Sequence, residues 1–351
     1  MSSAQVQDAS TSATPRTFIL ASRASQLAQI QTNMVRDALR AAFPAASLDT
    51  SFMTTGGDHN QSQALYLLGG KSLWTKELEV ALKEGAVDML VHSYKDVPTV
   101  LPDGCEIAGV MERENPADSL VVKKGLPYKS LEELPDGAVV GTSSVRRVAQ
   151  LKRLFPKLVF RDVRGNLNTR LAKLYAEDSP YTALILAKAG LVRLGWGARI
   201  TADVLPPTLF HAVSQGALAI EIRADDVEAR ALCRAITHEP TEWMCGAERA
   251  CLRVLEGGCS VPVGVSTRLE AGLLSMTGCV TSLEGERHVQ HEMQEKVASL
   301  EEAEAVGARL ARILMDSGAK AILDEITKDR ERKIGEEKKK EEKQTETAAA
   351  A

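Results

Sequence analysis

Four segments rich in hydroxyl and cationic side chains each follow a run of strand formers: SRASQLA from Ser22, HSYKDVP from His92, GTSSVRR from Gly141 and RGNLNTRL from Arg164. Ligands of an open α/β sheet sit outside the carboxyl ends of its strands, so segments in those places face a shared crevice. Arg23, Arg146, Arg147, Arg164, Arg170 and Arg193 would bring planar forks suited to carboxylate or phosphate, with Asp96 the lone acid among them. A ligand carrying several carboxylates matches that chemistry.

Taken one at a time, each of these residues has an ordinary reading. Arginine on a helix is usually a solvated surface residue packed along its stem. Asp96 and Lys95 make either a surface ion pair beside Pro98, or a carboxylate that steadies a developing cation and moves protons. His92 is equally a satisfied strand-end histidine or a catalytic one. Cys105, Cys233, Cys245, Cys251 and Cys279 fall in strand or helix patterns and fit burial. Cys259 differs: in EGGCSVP it sits in a turn beside two glycines, where a thiol is open to covalent attachment or nucleophilic work.

The elements that must carry these groups alternate. A strand, TFILAS, precedes a helix over 25–42 with Ser25 as its N-cap and Leu27, Ile30, Met34 or Val35, and Leu39 at helical spacing. Strand SLDTSFMTT, a polar stretch to Lys71, helix LWTKELEVALKEG and strand VDMLVHS follow. A second unit from Asn115 reads DSLVVKK, a short helix SLEEL, AVVGTSS, helix VRRVAQLKRLF, LVFRDV, helix NLNTRLAKLYAE, TALILAKAG and a further helix start. The alternation predicts parallel strands with right-handed crossovers. Segment 212–226, strand-like after a Ser-Gln-Gly turn, returns to the first sheet and makes the first domain discontinuous. From His238 come a helix, a GGCSVPVG turn, two or three alternating strands and a long helix over 299–327, a small α+β unit.

The expected division is therefore a disordered arm at 1–16, domain 1 at 17–114 and 214–237, domain 2 at 115–213, domain 3 at 238–327 and a disordered charged tail at 328–351. Composition narrows the function classes. A net charge of -4 over 351 residues gives no basic excess for nucleic acid, and 4% aromatic content supplies no stacking platform. The six cysteines lack CxxC or Cys/His metal spacing, which favours reduced thiols in a cytoplasmic setting and no structural metal. No apolar run is long enough for a membrane span, and the first sixteen residues lack the features of an export or mitochondrial leader.

Read in order, SRASQLAQIQT, HSYKDVPT, GTSSVRR, RGNLNTRL, AGLVRLGW, SQGALAIEIR and ERACLRVLEGGCSVPVG closely resemble the hydroxymethylbilane synthase family, also called porphobilinogen deaminases, over about 17–327. The resemblance implies two type II periplasmic-binding-protein-like doubly wound α/β domains and a small α+β C-terminal domain. It also implies a transferase that joins four porphobilinogen molecules head to tail, releases ammonia at each step and frees a linear tetrapyrrole with water. By motif match, Cys259 carries a dipyrromethane cofactor as a thioether and Asp96 is the principal catalytic residue. Lys95, Ser143, Ser144, Arg146, Arg147, Arg164, Arg170, Gln215 and Gly216 would hold the cofactor, Arg23, Ser25 and Arg193 the substrate, and Thr142 would line the same cleft. A cytoplasmic monomer is implied, with no nucleic-acid or membrane partner.

Four positions depart from the family pattern. Leu67 stands near Lys71 where many members carry lysine, leaving the lid-loop contacts open, Ser214 and Ala219 replace frequent glycines, and Trp74 takes a common phenylalanine place. Two other readings remain: a non-catalytic clamp for polycarboxylates, and a single-strand nucleic-acid binder, the latter disfavoured by the missing aromatics.

Overall fold

The computed structural model describes residues 16–54, 75–255 and 261–349. Its strands are β1 Thr17–Arg23, β2 Ser47–Met53, β3 Met89–Ser93, β4 Cys105–Val110, β5 Asp118–Val122, β6 Val139–Gly141 and β7 Val159–Arg161, then β8 Ala183–Ala187, β9 Ala202–Val204, β10 Leu218–Arg223, β11 Val263–Glu270, β12 Leu273–Thr281 and β13 His288–Lys296. The α-helices are α1 Gln26–Ala42, α2 Lys76–Lys83, α3 Val145–Leu154, α4 Leu167–Tyr175, α5 Lys188–Arg193, α6 Val227–Ala235, α7 Glu239–Leu255, α8 Leu300–Leu314 and α9 Lys320–Ala349.

Two five-stranded sheets share one plan, with orders β2-β1-β3-β10-β4 and β7-β6-β8-β5-β9. In each, the three strands at one side run parallel as the alternation predicts. The fourth strand is antiparallel, because it arrives from the other half of the chain: β10 enters the first sheet after the second is built, and β5 enters the second straight from the first. The predicted parallel pairing therefore holds for three strands of each sheet, and the exchange adds the antiparallel ones. The return of 212–226 to the first sheet is observed as β10.

Alternation along β1 explains the layering. Phe18 and Leu20 point to a core shared with Val35 and Leu39 of α1, Ile220 of β10 and Ala229 of α6, while Ala21 faces Leu78 and Leu82 of α2 on the other side. The second sheet repeats this, with Leu151 of α3 on one face and Leu171, Leu174 and Leu191 of α4 and α5 on the other. A third unit packs α7 and α8 on the antiparallel sheet β11-β12-β13, around Leu252, Val265, Met276 and Leu310.

Local differences have local reasons. Residues 130–134, expected as a helix, form turns, since five residues ahead of Pro135 cannot offset helix nucleation while Leu131 and Leu134 are drawn into the core. The helix expected over 299–327 is interrupted at Met315–Ala319, where Gly318 adopts φ 111°. Beyond it, α9 continues into the charged tail, expected as solvated helix fraying into disorder. Its helix formers and pairs such as Arg332 with Asp329 at 2.5 Å and with Glu336 at 3.4 Å support that backbone. Arg16, assigned to the loose arm, is tied by Asp226 at 2.6 Å and Asp88 at 2.6 Å.

Candidate active site

Every one of the four polar segments lies at the carboxyl end of a strand. Arg23 closes β1, and Ser25 caps α1 by accepting the Ala28 N–H at 3.4 Å. After β3 the chain turns through a single 3-10 turn, Tyr94–Asp96, closed by Val97 N–H donating to the Tyr94 carbonyl at 3.2 Å. After β6, buried Thr142 leads to Ser143, whose hydroxyl bridges to Val163 by donating to its carbonyl at 3.0 Å and accepting its N–H at 3.1 Å. Ser144 caps α3, and Arg193 closes α5 beyond β8. Short polar side chains satisfy these helix starts, so the strand ends are fixed by local chemistry.

Lys95 and Asp96 occupy the centre of a charged neighbourhood. The Lys95 ammonium donates to Gln215 Oε1 at 3.2 Å. Its pKa is pushed down to about 8, first by burial and then by Arg147 and Arg146, with Asp96 and Asp118 opposing. Arg170 is pushed down to about 10 by burial first and by repulsion from Arg147 and Arg164, while Asp96 favours its charge. Lys95, Asp96, Arg147, Arg164 and Arg170, drawn from both lobes, therefore share one field.

Asp96 is not the lone acid of this group. Asp118, at the start of β5 with no exposed side-chain surface, accepts Arg146 Nη2 on one oxygen at 2.7 Å. Its other oxygen accepts Arg147 Nη2 at 2.7 Å, Arg147 Nε at 3.1 Å and Gln215 Nε2 at 2.9 Å. Burial alone would raise this carboxyl, but the two guanidinium groups hold it well below the usual range. Arg146 also donates to the Phe210 carbonyl at 2.5 Å and Arg147 to that of Ile185 at 2.8 Å, so both arginines, expected in an open cleft, are buried and largely occupied.

Other donors are left over. Arg164 Nη1, Arg193 Nε and Arg146 Nε are buried without a hydrogen-bond partner among the described residues. Arg170 spends its Nε on the Gly165 carbonyl at 2.7 Å, and Arg193 one Nη on the Gly216 carbonyl at 2.7 Å. An unpaired buried donor costs about 1–3 kcal/mol, so guanidinium groups with leftover N–H fit an anionic ligand with several carboxylates.

Two family models match most of the chain. Residues 18–231 match the family model described as "Porphobilinogen deaminase, dipyromethane cofactor binding domain", and residues 243–316 match "Porphobilinogen deaminase, C-terminal domain". The chain belongs to the porphobilinogen deaminase family. Among its relatives, the porphobilinogen deaminase of Yarrowia lipolytica is 48% identical, with 89% of this chain and 94% of that protein covered. That of Nostoc sp. is 49% identical, with 89% and 95% covered. Among solved structures, the periplasmic aliphatic sulphonate binding protein SsuA from Escherichia coli aligns at TM-score 0.36 and 12% identity, covering 68% of this chain and 70% of that one.

Within this porphobilinogen deaminase fold, Cys259 and the positions Leu67, Lys71 and Trp74 lie outside the described residues. His92 is the satisfied histidine of the two readings, paired with buried Glu221 at 3.0 Å. Cys233, Cys245, Cys251 and Cys279 are buried and Cys105 partly so, all five free thiols. Among the described residues no cluster suits a metal ion, and no helix is long and apolar enough to cross a membrane.

Sequence reading passed over two acids. Asp118 begins the apolar run DSLVV, where the only signal was a carboxylate in a strand buried on both faces. Glu248 pairs Arg113 through both oxygens, at 2.7 and 3.0 Å, and accepts the Ser214 N–H at 2.6 Å. It joins α7 to both crossings between the two sheets.

Proposed function

We propose that this chain joins porphobilinogen molecules head to tail, four per cycle, with loss of one ammonia at each joining, and releases the linear tetrapyrrole hydroxymethylbilane by addition of water. Family membership supports the reaction, and the observation that carries the site is Asp96 beside Lys95 and Arg170 amid guanidinium groups with leftover buried N–H. Asp96 serves as the catalytic carboxylate. Departure of ammonia leaves a substrate methylene-pyrrole cation, which an adjacent carboxylate stabilises as charge develops, and the same carboxylate exchanges the protons that leave and arrive.

Cys259 would hold a dipyrromethane group as a thioether, and that group would supply the pyrrole carbon on which the chain grows. Lys95, Ser143, Ser144, Arg146, Arg147, Arg164, Arg170, Gln215 and Gly216 hold its acetate and propionate groups, and Arg23, Ser25 and Arg193 those of the incoming substrate. Because Arg146 and Arg147 also bond Asp118, they hold those groups largely through a fixed positive field, while the leftover N–H groups of Arg164 and Arg193 offer direct bonds. The protein acts as a cytoplasmic monomer, with the domain limits given from sequence.

The test is the intact mass of purified protein beside a Cys259→Ser control. Added mass equal to two deaminated porphobilinogen units on the wild type and absent from the control is expected. A wild-type chain that stays unmodified after incubation with porphobilinogen would instead leave a non-catalytic polycarboxylate clamp, the reading its two-lobed fold also accommodates.

A further inference from the structure

Helix α7 faces the catalytic turn with two residues one helical turn apart. Cys245 is buried in a cluster with Tyr94, Val97, Ala217 and Ala219. Arg249, four residues on and on the same helix face, reaches past it with only 5% of its surface exposed. Its Nη1 donates to the Val97 carbonyl at 3.1 Å and its Nη2 to the Pro98 carbonyl, while its guanidinium lies 4.4 Å from the centre of the Tyr94 ring. Tyr94 opens the 3-10 turn and Val97 follows it, so both residues that bracket Lys95 and Asp96 are gripped by one planar group.

We infer that Arg249 is a positioning residue that fixes the Asp96 turn against helix α7 of the third unit. The inference rests on the assignment of Asp96 above. The turn hangs on the first sheet by one backbone bond before it, Tyr94 N–H to the Ala217 carbonyl at 3.0 Å. The bonds from Arg249 fix the side after it, where Pro98 has no N–H to contribute. Helix α7 is itself packed into the core of the third unit through Ala247, Cys251 and Leu252, so the grip on the turn comes from a rigid element. Lysine cannot replace this grip, since a point ammonium lacks the planar fork that reaches two carbonyls while stacking on a ring.

Displacing a reacting group by about 1 Å costs on the order of 100-fold in rate. Arg249→Ala, loaded with primer as judged by intact mass, is therefore expected to lose about 100-fold in kcat with KM within about twofold of wild type, and Arg249→Lys to fall between. Millimolar guanidinium should restore part of kcat to Arg249→Ala and none to Asp96→Asn. Wild-type kcat per loaded molecule with only a lower Tm, a change confined to KM, or failure to load primer would each overturn the inference. Should Arg249→Ala not fold, Arg249→Lys and Tyr94→Leu decide by the same loss of kcat at full loading. An active Asp96→Asn would remove Asp96 from the proposed mechanism and with it the premise of this inference, whereas an inactive Asp96→Asn beside a fully active Arg249→Ala would sink only the role of Arg249.

Discussion

Lys95 is the residue whose environment most directly predicts a measurable property. A lysine ordinarily titrating near 10.5 is pushed down to about 8, by burial above all, so its charge fades in a range where enzymes are assayed. For a carboxylate-rich substrate, kcat/KM should fall as pH rises through about 8 in the free enzyme, and Lys95→Arg should move that alkaline limb upward. An unshifted limb in the variant would assign it to another group. The stability sign is the reverse of an ordinary ion pair. Because the folded pKa lies below the unfolded one, the charged form costs stability below about pH 8, and the penalty vanishes as pH rises towards 10.5.

At the scale of elements, the turn Ser214–Gln215–Gly216 joins more of the molecule than its length suggests. Gln215 links Lys95 to Asp118, its carbonyl accepts Arg113 Nε at 2.8 Å, and the Gly216 carbonyl accepts both Arg193 and the Glu114 N–H at 3.2 Å. Gly216 has φ 92°, and a Cβ there would stand 2.2 Å from the Glu114 carbonyl oxygen. The expected result of Gly216→Ala is a loss of at least about 1–3 kcal/mol, read from urea unfolding, together with reduced turnover as the Arg193 contact shifts. Unchanged stability would show that the crossing strand gives way freely. The glycine was legible in SQGAL as a turn, but its partners 23 and 102 residues away along the chain were not.

For the whole molecule, the start of the first sheet is strapped by charge. Arg16 bonds Asp226 through both oxygens, at 2.6 and 3.0 Å, as well as Asp88 and Glu228, and Asp226 also caps α6 by accepting the Ala229 N–H at 3.0 Å. These bonds, with Arg16 foremost, lower Asp226 to about 2. A depressed carboxylate pKa gives stability that is complete above the ordinary value near 3.8 and lost as pH falls through about 2. Arg16→Ala should thus lower stability by roughly 1 kcal/mol at pH 7, the strap being partly solvated, and by less at pH 3. Equal losses at both pH values would show that Arg16 acts by packing on Phe18, whose ring centre lies 4.3 Å from its guanidinium.

The sequence alone determined what short-range physics governs. Period-two and helical spacing placed most strands and helices, Ser25 and Ser144 marked helix starts, and the polar segments fell at strand ends because a hydrophobic run must stop where the chain leaves the sheet. Only the tertiary structure decided which charges are free. Asp118 pairs with Arg146 and Arg147 across 28 and 29 residues, while buried N–H groups of Arg146, Arg164 and Arg193 stay unpaired among the described residues, and Arg249 reaches the Asp96 turn across about 150 residues. Those pairings exist because burial makes an unpaired charge or carbonyl costly wherever its partner lies along the chain, and no local pattern records who that partner is.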